Sequence, residues 1–359
     1  MSRQRPLRVT LLSVALALLA VPAWTGSAGA VDWWGSVDFV TVKTGWVVSA
    51  RGSIVKTTNG GRSWIVQHKG GATLMDVCFI NRSRGWAVGD PGTTYRTTNG
   101  GHTWSKVLVP TSMEYRWLTA VSFYDAFEGR VVGGYPNGDG VATHQPYGSI
   151  WWTTDGGKNW TEMAYGTSTP ADVDIVSAAR GLAVGELRHQ PADPDDLGWN
   201  STAQWDCGGM FWAGPIAMPA AYQSGVSGLL AIDLYGAGDL GLAGGYVGGG
   251  APGSAIMLRT TDAGGSWTPV AVPLLTHVRD VQLVTASVGY AVGDGVGRRV
   301  LKTTDGGLTW KTKTTPIRAW LHKVDFVTPS TGCVLGEDSH NRLIVMRTVN
   351  GGTTWTRIR

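Results

Sequence analysis

The sequence predicts an all-β fold, a seven-bladed β-propeller whose blades are four-stranded antiparallel sheets. A glycine phrase, Gly-x-(Val/Ala)-(Val/Gly/Leu)-(Gly/Ser), recurs at intervals of 40 to 60 residues, at Gly45, Gly85, Gly129, Gly181, Gly241, Gly289 and Gly332. An eight-residue box, Thr-x-(Asp/Asn)-x-Gly-x-(Ser/Thr/Asn)-Trp, recurs six times. Between these motifs, β-branched and aromatic runs alternate with Gly, Asn and Asp turn signals. Repeats of this length with four strands each are typical of propeller blades.

The second unit shows how each element of a blade is predicted. A mostly apolar first strand spans 73–80, and a short buried second strand spans 85–89. A third strand follows at 93–97 and a fourth at 103–109. No stretch after residue 30 keeps the 3.6-residue periodicity of a helix. We therefore expect residues 31–359 to form a single propeller domain.

The box is predicted to form the turn between the third and fourth strands. Asn or Asp tolerates left-handed geometry and accepts turn N–H groups through its side chain, and glycine adopts backbone angles that other residues avoid. Tryptophan starts the outer strand and is expected to wedge between blades. A catalytic or metal site built from the acidic positions would need them to converge, whereas a box on each blade keeps them apart. The residues assigned this structural role are Asn59, Trp64, Asn99, Trp104, Asp155, Trp160, Asp262, Trp267, Asp305, Trp310, Asn350 and Trp355.

The fourth unit is expected to carry a decayed box from Trp205 to Trp212. This segment keeps Gly209 and its final tryptophan but has Cys207 at the acidic position. Its tryptophan follows the phrase glycine by the same interval as in the third unit. Seven blades are therefore expected, although only six boxes are intact.

Residues 1–30 are predicted to be a secretory signal peptide. Arg3, Arg5 and Arg8 precede an apolar run, and Ala28-Gly29-Ala30 provides a small-residue cleavage site. The alternative is an uncleaved anchor, although the apolar run is short for a membrane span. We expect an exported protein, in an extracellular, periplasmic or lumenal compartment.

The charge and the cysteine content argue against a nucleic-acid-binding protein and against a disulfide-rich scaffold. Removal of the signal leaves 27 basic against 26 acidic residues, so the mature chain is almost neutral. A nucleic-acid partner is not expected, because such proteins carry a clear basic excess or stripe. Three cysteines are too few for a disulfide framework. Cys78 and Cys333 lie in apolar runs and are expected to be buried small hydrophobic residues.

The boxes resemble the Asp-box family shared by bacterial sialidases, sortilin-type receptors and xyloglucan-cleaving hydrolases. Over about Trp34 to Ile358, Gly-Trp-x-Val-Gly phrases followed by boxes are similar to the photosystem II assembly/stability factor family and its bacterial relatives. The resemblance implies a propeller that scaffolds a protein partner, such as a membrane-protein complex, without catalysis and without a cofactor. We expect a monomer. The dense Arg-rich segment of photosystem-binding members has no counterpart here beyond Arg298-Arg299.

Candidate binding residues lie near the links that lead into first strands, beside the predicted mouth of the central channel. Arginine and tryptophan are enriched at interaction hot spots. The alternative is that the tryptophans pack between blades and the arginines pair with nearby acids. Long insertions fall in second-to-third-strand loops, at 135–147, 187–205 and 246–254, and these loops open on the same face as the links. The candidates are Arg116, Trp117, Arg279, Arg318 and Trp320.

The second insertion contains His189, Asp193, Asp195 and Asp196, a composition compatible with calcium or a transition metal. Their spacing matches no known metal loop, so we expect a solvated acidic loop and no metal site.

An enzyme is not expected. A sialidase needs three arginines that hold a carboxylate, and its Arg-Ile-Pro-like signature is absent. A glycosidase needs two carboxyl groups about 5–10 Å apart, and no motif indicates such a pair. The alternatives to protein binding are a sialidase-like glycoside hydrolase and a carbohydrate-binding propeller. In the latter, tryptophans outside the intact boxes would stack on sugars, namely Trp33, Trp34, Trp199 and Trp205.

Overall fold

A computed structural model describes residues 35–110, 117–134, 148–166, 170–185, 202–206, 227–247, 254–295, 299–340 and 342–359. In these ranges the chain forms 27 strands, arranged in seven antiparallel sheets that follow one another along the sequence. Six sheets have four strands, and the sheet of blade 4 has three within the described ranges. No helix of the described residues is long and apolar enough to cross a membrane. The predicted seven-bladed propeller is confirmed.

The first three blades span residues 37–166. Blade 1 contains β1 (Val37–Phe39), β2 (Gly45–Val48), β3 (Ile54–Thr57) and β4 (Ile65–His68). Blade 2 contains β5 (Leu74–Phe79), β6 (Gly85–Gly89), β7 (Thr93–Thr97) and β8 (Ser105–Leu108). Blade 3 contains β9 (Trp117–Phe123), β10 (Gly129–Gly134), β11 (Gly148–Thr153) and β12 (Thr161–Gly166).

The remaining four blades complete the ring. Blade 4 contains β13 (Pro170–Ser177), β14 (Arg180–Gly185) and β15 (Thr202–Asp206). Blade 5 contains β16 (Ser227–Tyr235), β17 (Leu240–Val247), β18 (Ala255–Thr260) and β19 (Thr268–Val270). Blade 6 contains β20 (Leu275–Leu283), β21 (Gly289–Gly295), β22 (Arg299–Thr303) and β23 (Lys311–Thr314). Blade 7 contains β24 (Ala319–Phe326), β25 (Gly332–Asp338), β26 (Leu343–Thr348) and β27 (Thr356–Arg357).

The register between the second and third strands explains why each glycine phrase is accompanied by a box. The phrase glycine of each second strand lies opposite the first residue of the box, as Gly85 lies opposite Thr97. In blade 4, Gly181 lies opposite Trp205, so the third strand reaches the point at which the decayed box was predicted to begin. Residues 207–226, which include the rest of that box, lie outside the described ranges.

The phrase glycines are required by the neighbouring first strand. A Cβ atom at Gly85 would lie 2.3 Å from the ring of Phe79, and one at Gly332 would lie 2.3 Å from the ring of Phe326. The aromatic side chain therefore covers the glycine and fills the space that a side chain would take.

Aromatic rings join consecutive blades. Trp86 of blade 2 stacks on Phe123 of blade 3, with ring centroids 3.4 Å apart, and its indole N–H donates to the carbonyl of Gly156 in that blade. The box tryptophan Trp160 meets the same phenylalanine edge-on at 5.9 Å. Equivalent stacks join Trp46 to Phe79 and Tyr290 to Phe326. Cys78 and Cys333 are buried in the apolar core, as expected.

Polar side chains of the first strands also join every pair of neighbouring blades. Each accepts a backbone N–H from the first strand of the next blade and so satisfies a donor that would otherwise lack a partner at the seam. The acceptors are Asp38, Asp76, Ser122, Asp172, Asp233, Asp280 and Asp325. The donors, in the same order, are the N–H groups of Phe79, Val121, Ile175, Ile232, Leu283, Val324 and Phe39.

Candidate functional site

The propeller has two faces with different loops. The link face carries the second-to-third-strand loops and the links between blades; there, the N–H of Leu74 donates to the carbonyl of Ser49 at 3.3 Å. The box face carries the box turns and the first-to-second-strand turns; there, the N–H of Gly100 donates to the carbonyl of Ser83 at 2.8 Å. The two sets of loops therefore present separate surfaces.

The blade 6 box shows how the box residues hold their turn. The carboxylate of Asp305 accepts the backbone N–H of Thr309 at 2.9 Å and the hydroxyl of Thr303 at 2.7 Å. The same Thr303 hydroxyl oxygen accepts the N–H of Gly307. Hydrogen bonds from Thr309 and Thr303 lower the pKa of Asp305 to about 2. The carboxylate of Asp305 therefore forms its hydrogen bonds within its own turn and stabilises that turn.

Left-handed backbone in the box lies after the acidic position, which differs from the sequence expectation. In blade 6 it occurs at Gly306 and Gly307, with φ of +70° and +89°. Blade 5 has Ala263 at the first of these positions, with φ of +61°. The acidic residue keeps ordinary backbone geometry because its role is to accept hydrogen bonds from the turn.

Trp117 and Trp320 occupy the same position in blades 3 and 7. A Cβ atom at Gly133 would lie 2.0 Å from the carbonyl oxygen of Trp117, and one at Gly336 would lie 2.0 Å from that of Trp320. Each tryptophan lies at or next to the start of its first strand, at the link-face end. The exposed fraction is 43% for Trp117 and 52% for Trp320. Neither ring is therefore packed between blades as the box tryptophans are.

The candidate arginines have different surroundings. Arg279 forms a double hydrogen bond with Asp294, through Nε at 2.9 Å and Nη2 at 2.7 Å. This is the pairing with a nearby acid that the sequence left as an alternative. Arg318 is exposed just before β24. Arg116 lies outside the described residues.

The structure brings Arg279, Arg318 and Trp320 to neighbouring blades, 6 and 7, whereas Trp117 lies elsewhere on the ring, in blade 3. A histidine, His322, lies in blade 7 and interacts electrostatically with Arg279 of blade 6. Its Nε2 lies 4.0 Å from Glu337 Oε1. Burial lowers the pKa of His322 to about 4, and the charge of Arg279 acts in the same direction. The imidazole is consequently neutral at neutral pH.

A polar cluster in the central channel was missed by sequence reasoning. Lys323 Nζ lies 3.9 Å from Asp280 Oδ1. Burial opposes the charge of Lys323, but Asp280, Asp76 and Asp172 outweigh it and raise the pKa of this lysine. Burial raises the pKa of Asp172 to about 7, although Lys323 opposes the shift. These residues come from blades 2, 4, 6 and 7, so they meet only across the channel.

A sequence signal for this cluster exists. Each first strand contains x-(Val/Ile)-x-(Phe/Leu/Ile), and the side chains that accept N–H groups across blade seams occupy one or other x position. The first x position supplies the channel residues. The seven copies begin at Ser36, Asp76, Ala120, Asp172, Ala231, Asp280 and Lys323.

Several sequence expectations lie outside the described residues. These are the acidic loop with His189, Asp193, Asp195 and Asp196, most of the three insertions, and Trp33, Trp34 and Trp199. In the ranges that are described, no group of three or more His, Cys, Asp or Glu residues is placed to hold a metal ion.

The repeats and the fold define the class of protein, an Asp-box β-propeller. Residues 65–189 and 260–359, more than half of the chain, match the family model described as photosynthesis system II assembly factor YCF48. The chain therefore belongs to that family. No curated protein gives a match.

Solved structures with a similar fold include two of YCF48. A structure of YCF48 bound to D1 peptide is 19% identical with a TM-score of 0.62, covering 89% of this chain and 94% of that one. YCF48 from Cyanidioschyzon merolae is 20% identical with a TM-score of 0.60, covering 89% and 95%. The WD40 propeller domain of Doa1 is 14% identical with a TM-score of 0.59, covering 90% and 94%. At these identities, the structures show a shared fold.

Proposed function

We propose that this chain is an exported, non-enzymatic propeller that binds a protein partner through its link face. The observation that carries the proposal is the exposure of Trp117 and Trp320 at one repeated position beside the channel mouth. Membership of an assembly-factor family supports it. The partner class is a peptide or exposed segment of a membrane-protein complex, in line with the D1 peptide held by the related YCF48.

Rigid placement of the two indoles favours binding. The carbonyl of each tryptophan lies against a glycine of the adjacent second strand, so the backbone beneath each ring is fixed by the blade. A large aromatic side chain with two rotatable bonds loses little conformational entropy when it is covered by a partner. Exposed Arg318, two residues before Trp320, adds a cation that attracts an acidic segment.

The proposal is tested with the double variant Trp117→Ala/Trp320→Ala and, separately, with Arg318→Ala. Both are assayed for partner capture from envelope extract and for direct binding of the D1 peptide. Leu308→Ala is the matched control, because Leu308 is a 58%-exposed apolar residue on the box face. We expect loss of capture in the double variant, a weaker, salt-dependent loss in Arg318→Ala, and unchanged capture in the control.

Unchanged melting temperatures are required of all variants, because a collapse would mean that the link-face residues only stabilise the ring. Undiminished capture by the double variant would contradict the proposal. A glycan array probed with the same proteins tests the carbohydrate-binding alternative, since a lectin would lose glycan binding in the double variant and would capture no protein.

A further inference from the structure

The first-to-second-strand turn of blade 3 presents two aromatic side chains on the box face. Tyr124 is 50% exposed and Phe127 is 57% exposed. The turn is held from within, because Asp125 Oδ1 accepts the N–H groups of Phe127 and Glu128, each at 2.7 Å. It is also held from the adjacent box, where Gly156 N–H donates to the carbonyl of Phe127 at 3.0 Å. Both aromatic side chains are therefore exposed on a turn that hydrogen bonds hold in place.

Cationic side chains surround this turn. The guanidinium of Arg84 lies over the ring of Phe127, 5.9 Å from its centroid. Arg82 is exposed on the same blade 2 turn, and Lys158 is exposed in the blade 3 box. Within the described part of the chain, no carboxylate forms an ion pair with any of these three cations. Their charges are available to an external anion.

The neighbouring carboxylates are engaged by the protein itself. Asp125 accepts the two turn N–H groups, and Glu128 Oε2 lies 3.6 Å from Arg130 Nη1. Asp155 accepts the backbone N–H groups of Lys158 and Asn159. Asp155 nevertheless stays ionised, because burial is outweighed by hydrogen bonds from Asn159, Thr153 and Lys158, which lower its pKa to about 2. The positive charge of this region therefore comes mainly from Arg82 and Arg84 of blade 2, whose box carries the neutral Asn99.

Charge is distributed unevenly over the box face. Blades 1 to 3 expose Lys43, Arg62, Arg82 and Lys158 at their turns. Blades 5 and 6 carry Asp262 and Asp305 at the corresponding boxes, and hydrogen bonds lower the pKa of each to about 2. These two carboxylates remain ionised at ordinary pH. Blade 3 is mixed, because its Lys158 lies in the same box as the ionised Asp155. Positive charge on this face is therefore greatest at blades 1 and 2, whose boxes carry the neutral Asn59 and Asn99.

We propose that the part of the box face formed by blades 1 to 3 docks on an anionic lipid bilayer, with Tyr124 and Phe127 at the level of the headgroups. Aromatic side chains favour the membrane–water interface, and each nearby Lys or Arg strengthens binding to an anionic surface about fivefold. Both aromatic side chains are exposed at one turn of the box face, so a planar surface laid against that face can cover them together. Repulsion between the anionic bilayer and the carboxylates of Asp262 and Asp305 tilts the ring, so that blades 2 and 3 lie nearest the membrane.

The test is co-sedimentation of the purified protein with vesicles of phosphatidylglycerol mixed with phosphatidylcholine, beside vesicles of phosphatidylcholine alone. We expect binding to the anionic vesicles only, and weaker binding as salt screens the cations. Tyr124→Ala/Phe127→Ala should reduce the partition coefficient about tenfold, and Arg82→Ala/Lys158→Ala about fivefold for each cation removed. Leu308 is an equally exposed apolar residue in the blade 6 box of the same face, so Leu308→Ala should bind as the wild type does.

Three results would overturn the proposal. One is failure of the wild type to bind anionic vesicles. Another is full binding by the Tyr124→Ala/Phe127→Ala variant with an unchanged melting curve. The third is an equal loss in Leu308→Ala, which would indicate a non-specific apolar effect. Loss of protein capture by the aromatic variant without any vesicle binding would instead identify this patch as a protein-binding surface.

Discussion

Asp325 Oδ2 accepts the backbone N–H of Phe39 at 2.5 Å, across 286 residues of sequence. This hydrogen bond joins the first strand of blade 7 to the first strand of blade 1 and closes the ring. A second closing contact runs from the indole N–H of Trp64 to the carbonyl of Ile358 at 3.1 Å. The same type of side chain-to-backbone bond recurs at the other seams, so the closing seam is built like the rest.

Removal of the closing acceptor should weaken the ring measurably. In Asp325→Ala the buried N–H of Phe39 loses its partner, and we expect the free energy of unfolding to fall by about 1–3 kcal/mol. Urea unfolding measures this loss, and hydrogen exchange should show faster exchange at the Phe39 amide. Asp233→Ala, at the seam between blades 5 and 6, should cost a similar amount. A protected Phe39 amide in Asp325→Ala would contradict this account of closure.

The box tryptophan of blade 3 should be a major stabilising residue. Trp160 is buried and meets Phe123 edge-on, so Trp160→Ala removes a large side chain from the seam between blades 2 and 3. We expect a loss of about 3–5 kcal/mol, as for other large-to-small core changes. Thermal and urea unfolding give the measurement. Trp320→Ala is the control, because its half-exposed ring should contribute less than about 1 kcal/mol; equal losses would mean that the box ring is not what fills the seam.

Asp and Asn should be interchangeable within the box. Asn99 uses Oδ1 to accept the N–H of Thr103 and Nδ2 to donate to its hydroxyl, whereas Asp305 accepts both groups of Thr309. Asp305→Asn should therefore change the free energy of unfolding by less than about 0.5 kcal/mol. Asp305→Ala should cost about 1–2 kcal/mol, because the turn loses its acceptor. Chemical denaturation distinguishes the two, and a large loss in Asp305→Asn would show that the charge itself is required.

The channel carboxylate should make stability depend on pH. Burial raises the pKa of Asp172 from 3.8 to about 7, so the folded state holds this proton more tightly than the unfolded state. Its contribution to the free energy of unfolding is therefore present below about pH 4 and is lost as pH rises towards about 7. The total loss should be about 1–4 kcal/mol, measured by urea unfolding across this range.

Asp172→Asn should remove that slope. The amide can replace only one of the carboxylate acceptors that serve Ile232 and Val173, so stability falls at every pH. The diagnostic quantity is the pH dependence, which should flatten. Asp305→Asn is the control, because the pKa of Asp305 is about 2 and the group stays ionised throughout the range. An unchanged slope in Asp172→Asn would exclude this carboxyl as its source.

Local repeats were sufficient to predict the fold. The phrase glycines and the boxes recur because each blade has the same two requirements, a second strand covered by a large apolar side chain of the first strand and a tight turn into the outer strand. Register then fixes their relationship, as the pairing of Gly181 with Trp205 shows in a blade whose box has decayed. These features depend on neighbours within one blade and are visible in a single segment of sequence.

Contacts between blades were not predictable in the same way. The sequence contains Asp76, Asp172, Asp280 and Lys323 at one repeat position, but only ring closure brings their charges together. Blade 3 places Arg130 where blades 1 and 2 have tryptophan, and its guanidinium donates to the carbonyl of Ala178 in blade 4. The pairing of Arg279 with Asp294 lies within blade 6, but it depends on a strand register that includes two irregularities, which the sequence pattern does not show.

The described chain enters the ring on an innermost strand, β1, and leaves it on an outermost strand, β27. Each sheet of the described residues is formed by consecutive strands of one segment, and none of these sheets combines strands from the two ends of the chain. The arrangement of the blades in the ring therefore does not depend on which blade is translated first. A circular permutant that joins residue 359 to residue 35 through a short linker and opens between His68 and Leu74 keeps every seam described above, and its first translated blade would be blade 2.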